Sequence, residues 1–539
     1  MKLPWVLAER ELVFTGSDLQ ISREPISREA LQRRRKSLAL VFATIAAVLV
    51  FVAPASATIK YRVSLASPDQ HVFHVTMTIP IAESDREVIV QMPAWNALYQ
   101  VRDFAYRVRD LHDAERLDAS LPVKLDKQTW RVDLNAASKT KRAASIAYSV
   151  LWDDPGPFNS QLNAHHAFIN FAEILMYVPN RRAEATEIAF DDLPADWNIA
   201  VELAPAHEPN SFVAPSYDAL VDAPVELGKF EAFDFDSAGG HFRVVMDGSG
   251  YNRRGFEAAL ERITGYQIQV FGAPPFKQFT FITHLGPNPV VGGGGMEHMN
   301  STAIAGPTFD AEVLLAAHEF FHVWNVKRIR PQALEPVDYT KEQYTRTLWF
   351  AEGCTDAYTS FTLVRTGLWS KKQFYDDLAE QVERSQVRHA HTWQSPEESS
   401  LDAWFEKYEG YNVPDRSISY YDQGQVLGEI IDLEIRDATD NHKSLDDVFR
   451  LMNEKFAKQG KFYDEGQDLR AAIEQVSGRS FEDFFRRYVA GVEDLPYNQI
   501  LAVAGLELKT DAGYSISELG HATDRQRRIR EGVLHGTTD

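Results

Sequence analysis

The chain has 539 residues with 30 glycines, 25 prolines and 44% hydrophobic residues, which excludes a disordered or fibrous protein and gives enough length for several cores. Its 56 basic and 77 acidic side chains leave a net charge of −21, so nucleic-acid backbones and anionic lipid surfaces are excluded as charge-matched partners. The single cysteine, Cys354, excludes an intramolecular disulfide and any cysteine-rich metal site, so a metal would have to be held by histidines and carboxylates.

The basic block Arg33-Arg34-Arg35-Lys36 precedes an apolar run from Leu38 to Val52 and the small residues Ala55-Ser56-Ala57. Residues 1–57 therefore read as a signal peptide with a long n-region, cleaved after Ala57, and place the mature chain in the periplasm or outside the cell. The alternative is an uncleaved anchor, with residues 37–57 as a membrane tether facing the protein outward, because the run just reaches the ~20 residues a spanning helix needs.

From residue 58 to 247 the apolar residues alternate, as in Phe73, Val75, Met77, Ile79 and Ile81, and again in Ile146, Tyr148, Val150 and Trp152. Period two means half-buried strands, and the turn-rich breaks between runs point to an N-terminal antiparallel β-sandwich. Past Gly248 the period changes. Phe256, Leu260 and Ile263 share a helix face, and helical segments are predicted at 309–325, 342–367, 421–437, 445–457 and 481–490, interrupted by one strand, Lys277 to Leu285. The expected class is thus multi-domain α+β: a β domain over 58–247, a mainly helical catalytic domain over 248–497, and a remnant over 498–539 that ends in a frayed polar tail from Gly520.

The chemistry concentrates in His318-Glu319-Phe320-Phe321-His322. Residues i and i+4 share a helix face, so both imidazoles can reach one zinc ion while Glu319, one residue round, points at its water as a general base. The alternative is an ordinary helix face that happens to carry these residues. A catalytic zinc needs a third protein ligand, and Glu352 is the candidate, a carboxylate among Trp349, Phe350 and Ala351 that needs a cationic partner. Asp356, four residues on, can accept a hydrogen bond from a ligating imidazole. Cys354 falls on the opposite side and reads as a core residue. Upstream, Gly292-Gly293-Gly294-Gly295-Met296-Glu297 follows the predicted strand; glycines let a backbone approach closely, which would put Gly294 and Gly295 against substrate and Glu297 at the end of its groove. Tyr420 and Tyr421 open a further helix, and a phenol near zinc can donate to a developing oxyanion.

The segments HEFFHVWNVKRIRP at 318–331, LWFAEGCTDAY at 348–358, GGMEHMNST at 294–302 and SISYYDQGQVLGEIIDLEIR at 417–436 resemble the glycyl aminopeptidase family of gluzincin zinc metallopeptidases, whose catalytic domain is thermolysin-like. Segments at 92–111, 217–228 and 477–497 share the resemblance, which covers nearly all of 58–508. It implies one zinc per chain held by His318, His322 and Glu352, Glu319 as general base, Glu297 as anchor for the free α-amine, and Tyr421 as oxyanion donor, with Tyr420 its rival. The related alanyl aminopeptidases carry Y-x-K-G where this chain has Tyr421-Asp422-Gln423-Gly424. Family members commonly add a C-terminal PDZ domain, and the 31 residues after Leu508 are too few for one. The expected function is zinc-dependent hydrolysis of the first bond of peptides with a free N-terminus, the glycine or small-residue preference coming from the family name alone. The alternatives are a zinc endopeptidase, or an inactive secreted peptide-binding protein, against which the intact set of polar site residues argues.

Overall fold

The computed structural model of the chain describes residues 58–536 apart from 97, 116–121, 135, 288–291 and 407–415; the expected signal segment lies outside the described residues. Among them, no helix is long and apolar enough to cross a membrane.

The alternation in the first third does produce strands. Val72–Pro80 buries Phe73, Val75, Met77 and Ile79, and its neighbour Ala143–Leu151 buries Ile146, Tyr148 and Val150 in antiparallel register, Val75 opposite Tyr148. They sit in a seven-stranded sheet that is antiparallel except where Ile59–Ser64 runs parallel to Thr186–Asp191. Sheets of three and four strands complete the N-terminal part, and all three share one apolar core.

A five-stranded sheet opens the second part, in the order Glu231–Ser237, Gly240–Gly248, Gln278–Leu285, Ser301–Gly306, Gly294–Glu297. The boundary expected at 247 falls inside this sheet, because Gly240–Gly248 pairs in parallel with Gln278–Leu285. The chain therefore leaves the N-terminal part near Lys229, and the five-stranded sheet adds Gly294–Glu297 and Ser301–Gly306 to the one strand predicted past Gly248. Alternation shows that a segment is a strand but not which sheet it joins, and that is why the sequence misplaces the border. Helix Arg253–Phe271, capped by Asn252, lies against helix Phe309–Phe321, and the remaining helices pack around them in a second large core. Ala94, Trp95 and Tyr99 of the N-terminal part belong to this second core, where Trp95 meets Trp404 edge-on at 5.2 Å.

The expected frayed tail is instead ordered. Helix Asp524–His535 begins with a capping box between Thr523 and Gln526 and buries Ile529, Val533 and Leu534. Arg525 reaches back to Asp437 and Asp440, and Arg530 to Glu518. Four arginines make this stretch look unpatterned, yet three of them, Arg525, Arg528 and Arg530, dock its polar face.

Candidate active site

Helix Phe309–Phe321 starts at Thr308, whose hydroxyl accepts from Ala311 N, and it is held by a buried face of Val313, Ala316, Ala317, Phe320 and Phe321. That face fixes the opposite one, so His318 and His322 project together, their Nε2 atoms 2.9 Å apart. The tautomers follow from their partners. His318 Nδ1 donates to Asp356 Oδ1 at 2.7 Å, and His322 Nδ1 donates to the carbonyl of Asn325 at 2.5 Å, since neither oxygen can donate. Both Nε2 atoms are left presenting lone pairs to each other and to Glu352 Oε2, which stands 3.3 Å from His322 and 3.5 Å from His318.

Glu352 owes its place to an irregularity. Residues Trp349–Gly353 form a π-helical turn ahead of helix Cys354–Arg365, a local widening that turns the carboxylate toward the histidines. This turn lies almost on the backbone of helix Tyr420–Ala438: a Cβ on Gly353 would fall 2.6 Å from the carbonyl carbon of Gly424 and 2.7 Å from Tyr420 O. Gly428 continues the seam against Ala357 and Cys354, so the cysteine is a core residue, as its spacing implied. Asn325 fastens the two parts, its carboxamide donating to Phe350 O at 2.9 Å and Thr355 Oγ1 at 3.1 Å.

The donor set fits a divalent cation. Three lone-pair donors that converge with no proton between them repel, and zinc bonds of 2.0–2.1 Å to nitrogen and oxygen place tetrahedral ligands about 3.3 Å apart. Burial alone would raise the Glu352 carboxyl; only positive charge at the His322 and His318 end, an imidazolium proton or a cation, overcomes this and holds Glu352 well below the usual carboxylate range. Asp356 then serves as the outer acceptor that fixes the His318 ring.

Glu319 is buried beside this group, and its Oε2 has no hydrogen-bond partner within the protein. Burial pushes its carboxyl up to about 7 against the pull of His318 and His322. Above it runs the strand Gly294–Glu297, the edge of the five-stranded sheet, with Gly295 opposite Ile304 and Glu297 opposite Thr302. Gly294 takes φ +112°, a conformation that side chains other than glycine's rarely tolerate, and its Cα faces the ring of Phe158. Glu297 offers an oxygen within 4.8 Å of donor atoms of both Glu319 and His322.

The groove does not end at Glu297. A cavity of about 510 Å³ continues from it, lined by Trp95, Asn96, Tyr99, Met296 and His298 among others, and by none of His318, Glu319, His322 or Glu352. Asn96 is 5% exposed, and neither of its amide atoms finds a partner in the protein. On the remaining side the ring of Tyr421 lies 6.3 Å from that of His318, with Tyr420 buried behind it at 4.7 Å. Desolvation and the Glu352 carboxylate push the Tyr421 phenol well above its ordinary value, which keeps its proton in place to donate.

The structure thus brings together every residue singled out from the sequence. It adds Asn325, Gly353, Gly424, Asn96 and Tyr99. No spacing rule gives these a role, although all five lie within segments that carry the resemblance.

Comparison with known proteins identifies the family. The M61 glycyl aminopeptidase model matches residues 311–427 and the peptidase M61 N-terminal domain model matches residues 60–229. The chain belongs to the M61 glycyl aminopeptidase family. It is a peptidase, hence a hydrolase, with a β-rich N-terminal part followed by a mainly helical one. A crystal structure of an aminopeptidase N family protein from Idiomarina loihiensis superposes with a TM-score of 0.77 at 25% identity, covering 87% of this chain and 82% of that one. An M1 zinc metallopeptidase from Deinococcus radiodurans is more distant, with a TM-score of 0.49 and 13% identity over 82% of this chain and 95% of its own. A comparison with curated proteins finds no match.

Proposed function

We propose that this M61 peptidase is a zinc-dependent aminopeptidase that removes the first residue from peptides with a free N-terminus. The observation that carries the reading is the convergence of His318 Nε2, His322 Nε2 and Glu352 Oε2, both imidazoles oriented from behind, with Glu319 and Glu297 close by.

When bound by these three ligands, zinc supplies Lewis acidity toward the scissile carbonyl and the attacking water. Glu319, buried with its Oε2 free of any hydrogen-bond partner within the protein, takes the proton of that water and passes it to the departing amine. Tyr421 donates its O–H to the carbonyl oxygen as negative charge builds there. The edge of Gly294–Glu297 pairs with the extended substrate backbone, and Glu297 accepts from the α-ammonium group, which sets the first peptide bond beside Glu319. The open cavity past Glu297 gives the endopeptidase alternative its one structural support. In the aminopeptidase reading, selection rests on the charge of Glu297 rather than on a wall behind it. Export of the mature chain belongs to the same proposal and rests on the sequence of residues 1–57.

Metal removal tests the zinc requirement. Dialysis against a chelator should abolish hydrolysis of a glycyl or alanyl peptide, and one equivalent of zinc at the active site should restore it. Full activity in metal-free protein would overturn the proposal.

A further inference from the structure

A second group of metal-ligating side chains lies away from the peptidase site, in the seam between the four-stranded sheet of the N-terminal part and the five-stranded sheet. His166 and Glu226 come from the antiparallel pair His166–Ile169 and Val225–Gly228; Asp247 and His284 stand opposite each other on Gly240–Gly248 and Gln278–Leu285. All four present a donor atom within 4.8 Å of the others. His166 Nδ1 is 2.9 Å from Glu226 Oε1 and 3.5 Å from Asp247 Oδ2, while His284 Nε2 is 2.9 Å from Glu226 Oε2. His166, Glu226 and His284 are buried, and Asp247 sits at the rim beside exposed His165.

The hydrogen bonds behind His166 settle which of its nitrogens faces inward with a lone pair. Asp153 Oδ1 can only accept, so the Gln161 group 3.0 Å from it is the amide N–H, and Gln161 Oε1 is what meets His166 Nε2 at 3.1 Å. That carbonyl oxygen also only accepts, so Nε2 carries the proton of the neutral ring. Nδ1 then directs a lone pair at two carboxylates, an arrangement that needs either a second proton or a cation. An imidazole oriented by a carbonyl on one nitrogen while the other faces carboxylates and a second imidazole is the arrangement of a metal-ligating histidine. Gly228, across the strand pair, lacks the Cβ that would lie 2.9 Å from His166 Cβ and push the ring away.

We infer that His166, Glu226, Asp247 and His284 form a second divalent-cation site of the zinc type, which clamps the N-terminal sheet to the sheet that carries the peptidase strand. Two imidazoles and two carboxylates are a nitrogen–oxygen set suited to zinc, and the cation's charge balances both carboxylates.

The test separates the two sites. Purified protein stripped of metal, reloaded with zinc and freed of excess should hold two zinc ions per chain. The His318→Ala, His322→Ala double variant should keep one, and zinc should raise its melting temperature by several degrees. Adding His284→Gln to that background should remove both the remaining zinc and the thermal response. Asp247→Asn at the rim, where folding is least disturbed, should weaken the remaining zinc at least tenfold. A double variant that holds no zinc and melts at the same temperature with and without it would overturn the inference, leaving the four residues as an ion-pair network. The zinc lost between wild type and double variant reports on the peptidase site independently.

Discussion

A Cβ on Gly295 would fall within 2.5 Å of Cγ and Cδ of Glu319, so the glycine and the buried carboxylate occupy space that admits only one of their side chains. Gly295→Ala must therefore displace Glu319. The nearest atoms to this Cβ all belong to Glu319, so the proposed zinc ligands should keep their places. The variant is expected to fold and keep zinc while losing at least 10² in kcat, the lower range for a displaced general base, and to resemble Glu319→Gln in both respects. Metal analysis and steady-state kinetics check this, and near-normal turnover in Gly295→Ala would mean that Glu319 has no role needing that position.

The two tyrosines can be told apart. Tyr421 faces the His318 ring and is partly exposed, whereas Tyr420 is 1% exposed behind it. Tyr421→Phe should lower kcat by about 10²–10³-fold with little change in KM, as for the loss of one oxyanion donor. Tyr420→Phe should act mainly on stability, seen as a lower melting temperature with turnover nearly intact. The reverse pattern would transfer the donor role to Tyr420.

Glu312, on the same helix as His318, is 1% exposed, and burial pushes its carboxyl from the ordinary 4.5 up to about 8. A raised folded-state value means that the folded protein holds a proton which the unfolded chain releases. Its contribution to stability is complete below about pH 4.5 and is lost as the pH rises to about 8. Glu312→Gln should remove this dependence, so the melting temperature of the variant relative to wild type should climb from pH 5 to pH 8 and level off above. A difference that stays constant over that interval would contradict the assignment.

The sequence reveals those parts of the site that a single segment determines. His318 and His322 are legible because i and i+4 share a face, and Glu352 because a lone carboxylate among Trp349, Phe350 and Ala351 needs a partner. The supports are different in kind. Asn325 holds the Glu352 turn through contacts made across 25 to 30 residues, and Gly353 and Gly424 matter only because two helices cross there. Such roles are created by tertiary packing and leave no local pattern. The border between the two parts is missed for a related reason, since Val225–Gly228 and Glu231–Ser237 both interleave apolar and acidic residues in sequence. The C-terminal helix, by contrast, has local signals that the expectation of a frayed tail overlooks: Thr523 and Gln526 form a capping box, and Ile529 and Val533 stand four apart.

The position of Glu297 is the centre of the functional account, and the first product released from matched peptides tests it most directly. A peptide with a free α-amine should lose its N-terminal residue first. Its N-acetylated twin, which fits the open cavity but gives Glu297 no cation, should be cut about 10²-fold more slowly, the worth of one charge-assisted hydrogen bond. Glu297→Gln should bring the two rates to within a few fold of each other, chiefly by slowing the free peptide. Equal cleavage of both peptides by the wild-type protein, or internal fragments as first products, would contradict the aminopeptidase reading and leave an endopeptidase.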